Sequence, residues 1–198
     1  PSFAQHLGVD LVVEGFGTVK VDTAFGGDRF VMADAADFGL AITPATARDV
    51  AELGRRLVKA ADEQLPFHHP ELPEWRHYSF CFLREKLERR DGVLTSRNAC
   101  VVNPGKLDRS PTGTGCSALM AVLHAKGLMK VGETYIGRSV IDSQFIGQIA
   151  AETTVGNHKA IVPQITGRAW ISGQTTLMLD PDDPYPDGYK VSDTWPNP

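Results

Sequence analysis

The sequence is poor in cysteine, and it has no long apolar run, no basic cluster and no metal-binding motif. Its three cysteines, an odd number without the spacing of zinc ligands, predict reduced thiols and a cytoplasmic protein. No stretch approaches the ~20 apolar residues of a membrane-spanning helix, and the six histidines form no HExxH motif. The net charge of −4 and the scattered Lys and Arg residues argue against nucleic acid as a partner. We therefore expect neither a membrane anchor, nor a nucleic-acid interface, nor a bound metal.

The sequence does contain enough apolar residues for a sizeable core, since they make up 42% of its 198 residues. The segment "VDLVVEGFGTVKVDTAFGGDRFVMADA" alternates polar and apolar positions and is broken by glycines, which predicts two or three antiparallel strands. The pair Gly26-Gly27 is either a turn or a place where the backbone approaches a ligand.

A helix is predicted next. Thr46 is a good N-cap, with Asp49 completing a capping box. Apolar residues then repeat at helical spacing up to Ala61, and Pro66 ends the helix. Short strands are expected at Tyr78 to Leu83 and in "RNACVVN".

The second half of the chain predicts a second helix and then a strand meander. "SALMAVLHAK" is apolar on nearly all sides, which is typical of a helix buried all round, and Gly127 stops it. From Gly132 to Leu179 the sequence is rich in Val, Ile and Thr and is broken by Gly, which predicts strands. A Pro- and Asp-rich tail follows and is expected at the surface. The pattern predicts an α+β fold with a mainly antiparallel sheet, rather than alternating βαβ units.

The start of the second helix has the pattern of an anion-binding site. Small residues, "TGTG", precede the helix, and the first N–H groups of a helix have no partners within it. A carboxylate or an oxyanion could bind there, or the glycines could simply make a tight turn between strand and helix. Asp108, four residues before Thr112, could orient a cationic amine or cap a turn.

The same stretch carries a family resemblance. "DRSPTGTGCSA" resembles the "DRSPCGTGTSA" signature of the proline racemase family. Five further segments fall in the order expected for that family, so the resemblance covers close to the full chain: "VDTAFGGDRFVMADA", "HHPE", "RSVIDSQFIG", "AIVPQITGRAWISG" and "LDPDDPYPDG".

The resemblance implies a diaminopimelate-epimerase-like fold, in which each of two lobes wraps sheet around a central helix, here at about residues 115–126. It implies a small imino acid as substrate, bound between the lobes, and no cofactor. Thr112 occupies the position of the second catalytic cysteine. Asp108 corresponds to the acidic residue near the ring nitrogen of the substrate. Gly113 and Thr114 correspond to the backbone donors that bind its carboxylate.

Thr112 departs from the family pattern. A thiol at a helix N-terminus ionises near neutral pH, whereas an aliphatic alcohol does not. The family includes a branch with this replacement, the trans-3-hydroxy-L-proline dehydratases, so the resemblance implies a hydro-lyase that forms Δ1-pyrroline-2-carboxylate. The alternatives are a hydroxyproline 2-epimerase or proline racemase, and a non-catalytic lobe that binds carboxylates. Cys116, one turn (~5.4 Å) further along the helix, is expected to be a core residue, as are Cys81 and Cys100.

A second departure concerns the first catalytic cysteine. The family carries it in an "MCGH"-like motif, which does not occur in this sequence. We therefore expect residues 1–198 to be the C-terminal part of a two-lobed enzyme, inactive alone and able to form a homodimer through exposed apolar surface. Asp142 stands where the family resemblance leads us to expect Gly.

Overall fold

The computed structural model describes residues 1–189, and the chain divides into two units, Pro1–Arg168 and Ala169–Pro198. The first unit contains every helix and strand of the described residues. Its two α-helices are α1 (Ala47–Gln64) and α2 (Gly113–Ala125). Its strands are β1 (Ser2–Val13), β2 (Gly17–Phe25), β3 (Arg29–Asp34), β4 (Phe80–Arg84), β5 (Glu88–Arg90), β6 (Val93–Val102), β7 (Lys106–Leu107), β8 (Thr134–Arg138), β9 (Gln144–Val155) and β10 (His158–Thr166).

Eight of these strands close into a barrel. The neighbours run in the order β4, β3, β2, β1, β10, β9, β8 and β6, and β6 pairs with β4 to complete the ring. The short strands β5 and β7 each pair with β6 outside this path. Because the ring is closed, it leaves no exposed strand edge between its first and last members.

Most pairings are antiparallel, which confirms a mainly antiparallel α+β fold. Two pairings are parallel, β3 with β4 and β6 with β8, and in each case the chain passes through a helix between the two strands. The fold therefore contains two crossover connections of the βαβ kind. The sequence pattern predicted no such units. Parallel neighbours need such a long connection, and each helix supplies one.

Helix α2 is buried all round, as its composition predicts. Its residues 115–123 are all buried, and they form one core with inward-facing residues of the barrel strands, including Phe30, Phe82 and Tyr135. Burial of each large apolar side chain contributes about 1.5–3 kcal/mol relative to exposure. The prediction of a sheet wrapped around a central helix is thus confirmed for this unit, although the helix begins at Gly113, two residues earlier than expected.

Helix α1 packs outside the barrel. Val50, Leu53, Leu57 and Ala61 face a second core together with outward-facing residues of β1 to β4 and β6. The expected capping box at its start is wrong. The reciprocal hydrogen bonds join Thr43 and Thr46 in the preceding 3₁₀ turn, and the Thr46 side chain makes no cap to α1. Because the 3₁₀ turn satisfies its own donors, Asp49 takes no part in a capping box. It is only an acidic residue in the first turn of α1.

The expected meander ends earlier than predicted. The strands β8, β9 and β10 form it as far as Thr166, but residues 169–179 contain no strand. The barrel is already closed by the pairing of β10 with β1, so no edge remains for another strand. The second unit contains turns closed by the Asp180 and Tyr185 carbonyls. The last nine residues of the predicted surface tail lie outside the described residues.

Candidate active site

The N-terminal end of α2 lies at one opening of the barrel, where the loop after β7 brings the chain into the helix. Thr112 precedes the first helical residue with φ 61° and ψ 104°, and its side chain does not cap the helix. Within residues 1–189 the structure records no protein acceptor for the N–H groups of Gly113 and Thr114. These donors and the helix dipole together favour an anion at this end.

The two candidate side chains of the sequence analysis, Thr112 and Asp108, are in direct contact. The Thr112 hydroxyl Oγ1 donates to Asp108 Oδ2 at 2.5 Å, and the Thr112 N–H donates to Ser110 Oγ at 3.1 Å. Thr112 is 8% exposed, whereas Asp108 is partly exposed. The Asp108 N–H donates to the Cys100 carbonyl, which ties the loop to β6. The structure thus brings Asp108, Thr112, Gly113 and Thr114 together at one helix end.

The Gly26-Gly27 pair also lies at this end. It forms the turn between β2 and β3, and it contacts the first turn of α2 directly. A Cβ added at Gly26 would lie 2.1 Å from the Thr114 carbonyl oxygen and 2.5 Å from the Ala118 nitrogen. Gly27, at φ 105°, would bring its Cβ 3.0 Å from Thr114 Cγ2. Both glycines are therefore required by a turn that packs against the helix. Of the two alternatives expected for this pair, the structure shows the turn.

An apolar wall flanks Gly113, and its residues were not predicted from the sequence. A Cβ at Gly113 would lie 3.8 Å from Ile165 Cγ2 and 3.9 Å from Phe145 Cε2. Phe145 lies near the start of β9 and Ile165 near the end of β10. These residues lie 32 and 52 positions beyond Gly113, so only the pairing of β9 with β10 brings them beside the helix. The wall is suited to the carbon ring of a small ligand whose anionic end lies on the helix.

The hairpin between β8 and β9 is attached to the same loop. Ser143 Oγ donates to the Arg109 carbonyl at 3.0 Å and contacts Ser139 Oγ at 2.8 Å. Asp142, the residue for which we expected Gly, has φ 66°, the left-handed region that Gly adopts most easily and Asp tolerates. Its carboxylate forms an ion pair with Arg97 at 3.0 Å. The positive φ explains why Gly is expected at this position. Asp142 adopts the same conformation, and its carboxylate is available to pair with Arg97.

None of the three cysteines is placed to act as a base. All are free and buried, which confirms the expected core positions of Cys81, Cys100 and Cys116. Burial raises the pKa of Cys100 to about 12, although the hydrogen bond to the Thr112 side chain lowers it. Burial also raises the pKa of Cys81 and of Cys116, whose thiol donates to the Pro111 carbonyl at 3.2 Å. A base must ionise near neutral pH, so these thiols are structural.

One groove runs along α1. It has a volume of about 530 Å³ and is lined by residues such as Glu52, Arg55 and Arg56. Glu52 forms exposed ion pairs with both arginines. Such exposed ion pairs are screened by solvent and contribute little. The chemistry at the α2 end is therefore the stronger indication of function.

Residues 1–189 contain no group of three or more His, Cys, Asp or Glu side chains arranged to hold a metal ion. In the same residues, no helix has both the length and the apolar character that crossing a bilayer requires.

Comparison with known proteins identifies a family and two structural relatives. The sequence model of the proline racemase family matches residues 1–190. A probable proline racemase from Agrobacterium radiobacter K84, solved with bound carbonate, is 35% identical with a TM-score of 0.81, over 98% of this chain and 56% of that one. A hydroxyproline epimerase from Agrobacterium vitis, solved with bound trans-4-hydroxy-L-proline, is 34% identical with a TM-score of 0.81, over 98% of this chain and 55% of that one.

The match extends over the candidate site, since it includes the loop at Asp108 and the whole of α2. The chain spans little more than half the length of these two structural relatives. On the extent of the sequence match and the identity to the solved structures, the chain belongs to the proline racemase family.

Proposed function

We propose that the protein containing this chain dehydrates trans-3-hydroxy-L-proline to Δ1-pyrroline-2-carboxylate without a cofactor. The observation that supports it is the alcohol of Thr112 at the N-terminal end of α2, where the family resemblance implies the second proton-transferring thiol. In this reaction a base removes the α-proton and the 3-hydroxyl group leaves as water. The Δ2-pyrroline-2-carboxylate formed first then tautomerises to the Δ1 imine. No proton has to be delivered to the opposite face of Cα.

In this proposal the substrate carboxylate binds the N–H groups of Gly113 and Thr114. Each is a backbone donor at the positive end of a helix dipole, which suits an anion better than a neutral group. The ring carbons lie against Phe145 and Ile165. Asp108 accepts the Thr112 hydrogen bond on Oδ2, and its other carboxylate oxygen orients the cationic ring nitrogen.

Thr112 positions the Asp108 carboxylate and assists departure of the hydroxyl group. Its own hydroxyl has an ordinary pKa far above that of a thiol, so it does not remove a proton from carbon. We assign the α-proton base to a first cysteine in the part of the two relatives' length that this chain does not span. The complete protein then has two lobes of the diaminopimelate-epimerase type, with the substrate between them, and residues 1–198 alone do not turn over substrate.

The second candidate is a hydroxyproline epimerase or proline racemase. One observation favours it: the two structural relatives are a probable proline racemase and a hydroxyproline epimerase, at 35% and 34% identity. The two reactions share the first proton abstraction and differ in the next step. An epimerase needs an acid on the opposite face of Cα, whereas a dehydratase needs a leaving group on the neighbouring carbon.

The test uses the intact protein in deuterium oxide with trans-3-hydroxy-L-proline, trans-4-hydroxy-L-proline and L-proline as separate substrates. We expect imine only from the 3-hydroxy compound, and no inverted isomer from the other two. Thr112→Ser keeps the hydroxyl and should retain dehydration. Thr112→Cys restores a thiol and should introduce α-deuterium with inversion in trans-4-hydroxy-L-proline. Chiral chromatography and mass spectrometry measure both outcomes.

Efficient inversion of trans-4-hydroxy-L-proline or L-proline by the unaltered protein would overturn the dehydratase proposal in favour of the epimerase. If neither reaction occurs, calorimetry with pyrrole-2-carboxylate distinguishes a binding lobe from a protein without an anion site. Turnover by residues 1–198 alone would show that the base lies within this chain, contrary to the assignment above.

A further inference from the structure

A second polar cleft is lined by side chains that have no role in the proposed reaction. Its volume is about 320 Å³, and apart from Ser96 its lining side chains are all charged. Four are cationic and two are carboxylates, so the lining carries a formal net charge of +2: Lys86, Arg90, Arg97, Arg138, Glu85 and Glu88. The volume is at the lower end of the range for small-ligand sites, ~300–1,000 Å³.

Two arginines of this cleft lie side by side. Arg97 on β6 and Arg138 on β8 are direct neighbours in the parallel pairing of these strands. The Nε atom of each is buried and has no hydrogen-bond partner. Arg97 is held by its terminal nitrogens, which contact the Ile42 carbonyl and Asp142. Two like charges on adjacent strands, each with a buried donor left unpaired, are unfavourable, and Asp142 reaches only a terminal nitrogen of Arg97.

The two carboxylates of the cleft do not serve as that anion. Glu88 is paired with Arg90 at 2.8 Å, and Glu85 Oε1 accepts the Ile42 N–H at 3.0 Å. Within residues 1–189, Lys86 and Arg138 have no recorded ion pair. Asp142 offsets the charge of Arg97, so the two unpaired Nε–H donors and the charges of Lys86 and Arg138 remain for an anion from outside the chain.

We propose that this cleft binds a dianionic tetrahedral oxyanion, either free phosphate or the phosphoryl group of a small monoester. The Nε–H of Arg138 and that of Arg97 donate to it, each paired with a terminal N–H of the same guanidinium. Guanidinium groups present such a pair of parallel donors to phosphate oxygens, whereas an ammonium group does not. Within residues 1–189, the two lining cations without a recorded ion pair, Lys86 and Arg138, match a dianion better than a monovalent carboxylate. This inference is independent of the reaction at α2.

The test measures phosphate binding to the intact protein by calorimetry, with pyrrole-2-carboxylate at saturation so that the α2 end is occupied. Inorganic phosphate and phosphoethanolamine serve as probes of the two sources, and acetate is the monovalent comparison. Arg138→Gln should weaken phosphate binding about tenfold or more, because charge-assisted hydrogen bonds are lost. Arg138→Lys keeps the charge but has no Nε–H, and should also weaken binding. Arg48→Gln removes an exposed charge on α1 and should change nothing.

A second readout does not depend on the variants folding. In the unaltered protein, the side-chain Nε–H resonances of Arg97 and Arg138 should shift on addition of phosphate. Tighter binding of phosphoethanolamine than of phosphate would identify the monoester as the ligand, and the reverse would identify free phosphate. The proposal is wrong if these resonances do not move, if acetate binds as tightly as phosphate, or if Arg48→Gln weakens binding as much as Arg138→Gln.

Discussion

The C-terminal end of α2 is closed by the protein itself, whereas its N-terminal end is left with free polar groups. At the C-terminal end, Lys126 forms an ion pair with Asp22 at 2.7 Å, and His124 contacts the Met129 carbonyl and Glu152. Asp22 also accepts the Gly8 N–H at 2.8 Å. Gly127 then ends the helix at φ 72°, with its N–H on the His124 carbonyl. Cations near helix carbonyls and a left-handed Gly are stabilising features.

Among the residues that the structure describes, the N-terminal end lacks such stabilising features. A β-branched residue, Thr112, stands at φ 61°, where such residues are rare, and its hydroxyl is used on Asp108 instead of on the helix. The hydrogen bonds of Thr112 to Asp108 and Ser110 hold this conformation, but within residues 1–189 the N–H groups of Gly113 and Thr114 have no recorded acceptor. Sites that bind ligands commonly hold such strain, whereas structural ends do not. The contacts at the C-terminal end stabilise the helix, and we propose that the N-terminal end binds the ligand.

The largest expected effect separates the two glycines of the N-terminal end. A Cβ at Gly115 would lie 2.4 Å from the Phe82 ring, so Gly115→Ala should lower the free energy of unfolding by about 3 kcal/mol through overpacking. A Cβ at Gly113 meets only ordinary contacts at 3.8 Å and beyond, so Gly113→Ala should change stability by less than about 1 kcal/mol. Urea denaturation measures both values.

For ligand binding, the larger effect is expected at Gly113 rather than at Gly115. Gly113→Ala places a methyl group beside the donors and should weaken binding of pyrrole-2-carboxylate to the intact protein in calorimetry. A Gly113→Ala variant that binds normally would show that the ligand does not approach this side of the helix end. Equal destabilisation by the two substitutions would show that Gly113 is as tightly packed as Gly115.

The sequence predicted the N-terminal end well because its information is local. The small residues, the helix that follows and the positions of Asp108 and Thr112 lie within one short segment, and chain connectivity alone brings them together. Burial of α2 on all sides was likewise readable from "SALMAVLHAK", since a helix without a polar face has to be enclosed.

The missed features all depend on contacts between distant segments. Phe145 and Ile165 reach Gly113 only through the pairing of β9 with β10, and Asp22 reaches Lys126 across 104 positions. The closure of the barrel, which removes the edge that a further strand would need, is also a long-range property. The local errors have a different origin: Thr43 competes with Asp49 for the role of capping partner, and single-residue propensities do not decide between them.

A smaller effect is expected at the closed end. Asp22→Asn keeps an acceptor for the Gly8 N–H but removes the partner of Lys126, and should lower the free energy of unfolding by about 1 kcal/mol. The value is modest because the Lys126 side chain is 31% exposed, and solvent screens the loss. Asp10→Asn is the matched control, since Asp10 pairs with Lys20 in a fully solvated ion pair. If both substitutions cost the same, the Asp22 pair contributes no more than a surface pair.

The smallest effect concerns Asp34, which lies at the end of β3 and lines the same small cleft as Asp22 and Lys126. Its Oδ1 approaches Arg84 Nε at 3.0 Å without the alignment of a hydrogen bond. Burial raises the pKa of Asp34 above its ordinary value of 3.8, the Arg84 charge opposes that rise, and Asp37 and Asp22 add to it. The folded protein therefore binds this proton more tightly than the unfolded chain does. Stability from Asp34 is greatest at low pH and falls as the pH rises from 3.8 through the raised pKa.

Asp34→Asn cannot titrate, so it removes that decline. The free energy of unfolding of the variant minus that of the unaltered protein should rise with pH across this window and become constant once Asp34 is ionised, whatever constant offset the lost Arg84 pair adds. Urea denaturation at a series of pH values from 3.5 to neutrality measures the slope. A difference that falls with pH would mean that the Arg84 charge outweighs burial at Asp34. In that case the Arg84 pair would stabilise the fold at neutral pH, and the partial burial of the Asp34 carboxylate would not destabilise it.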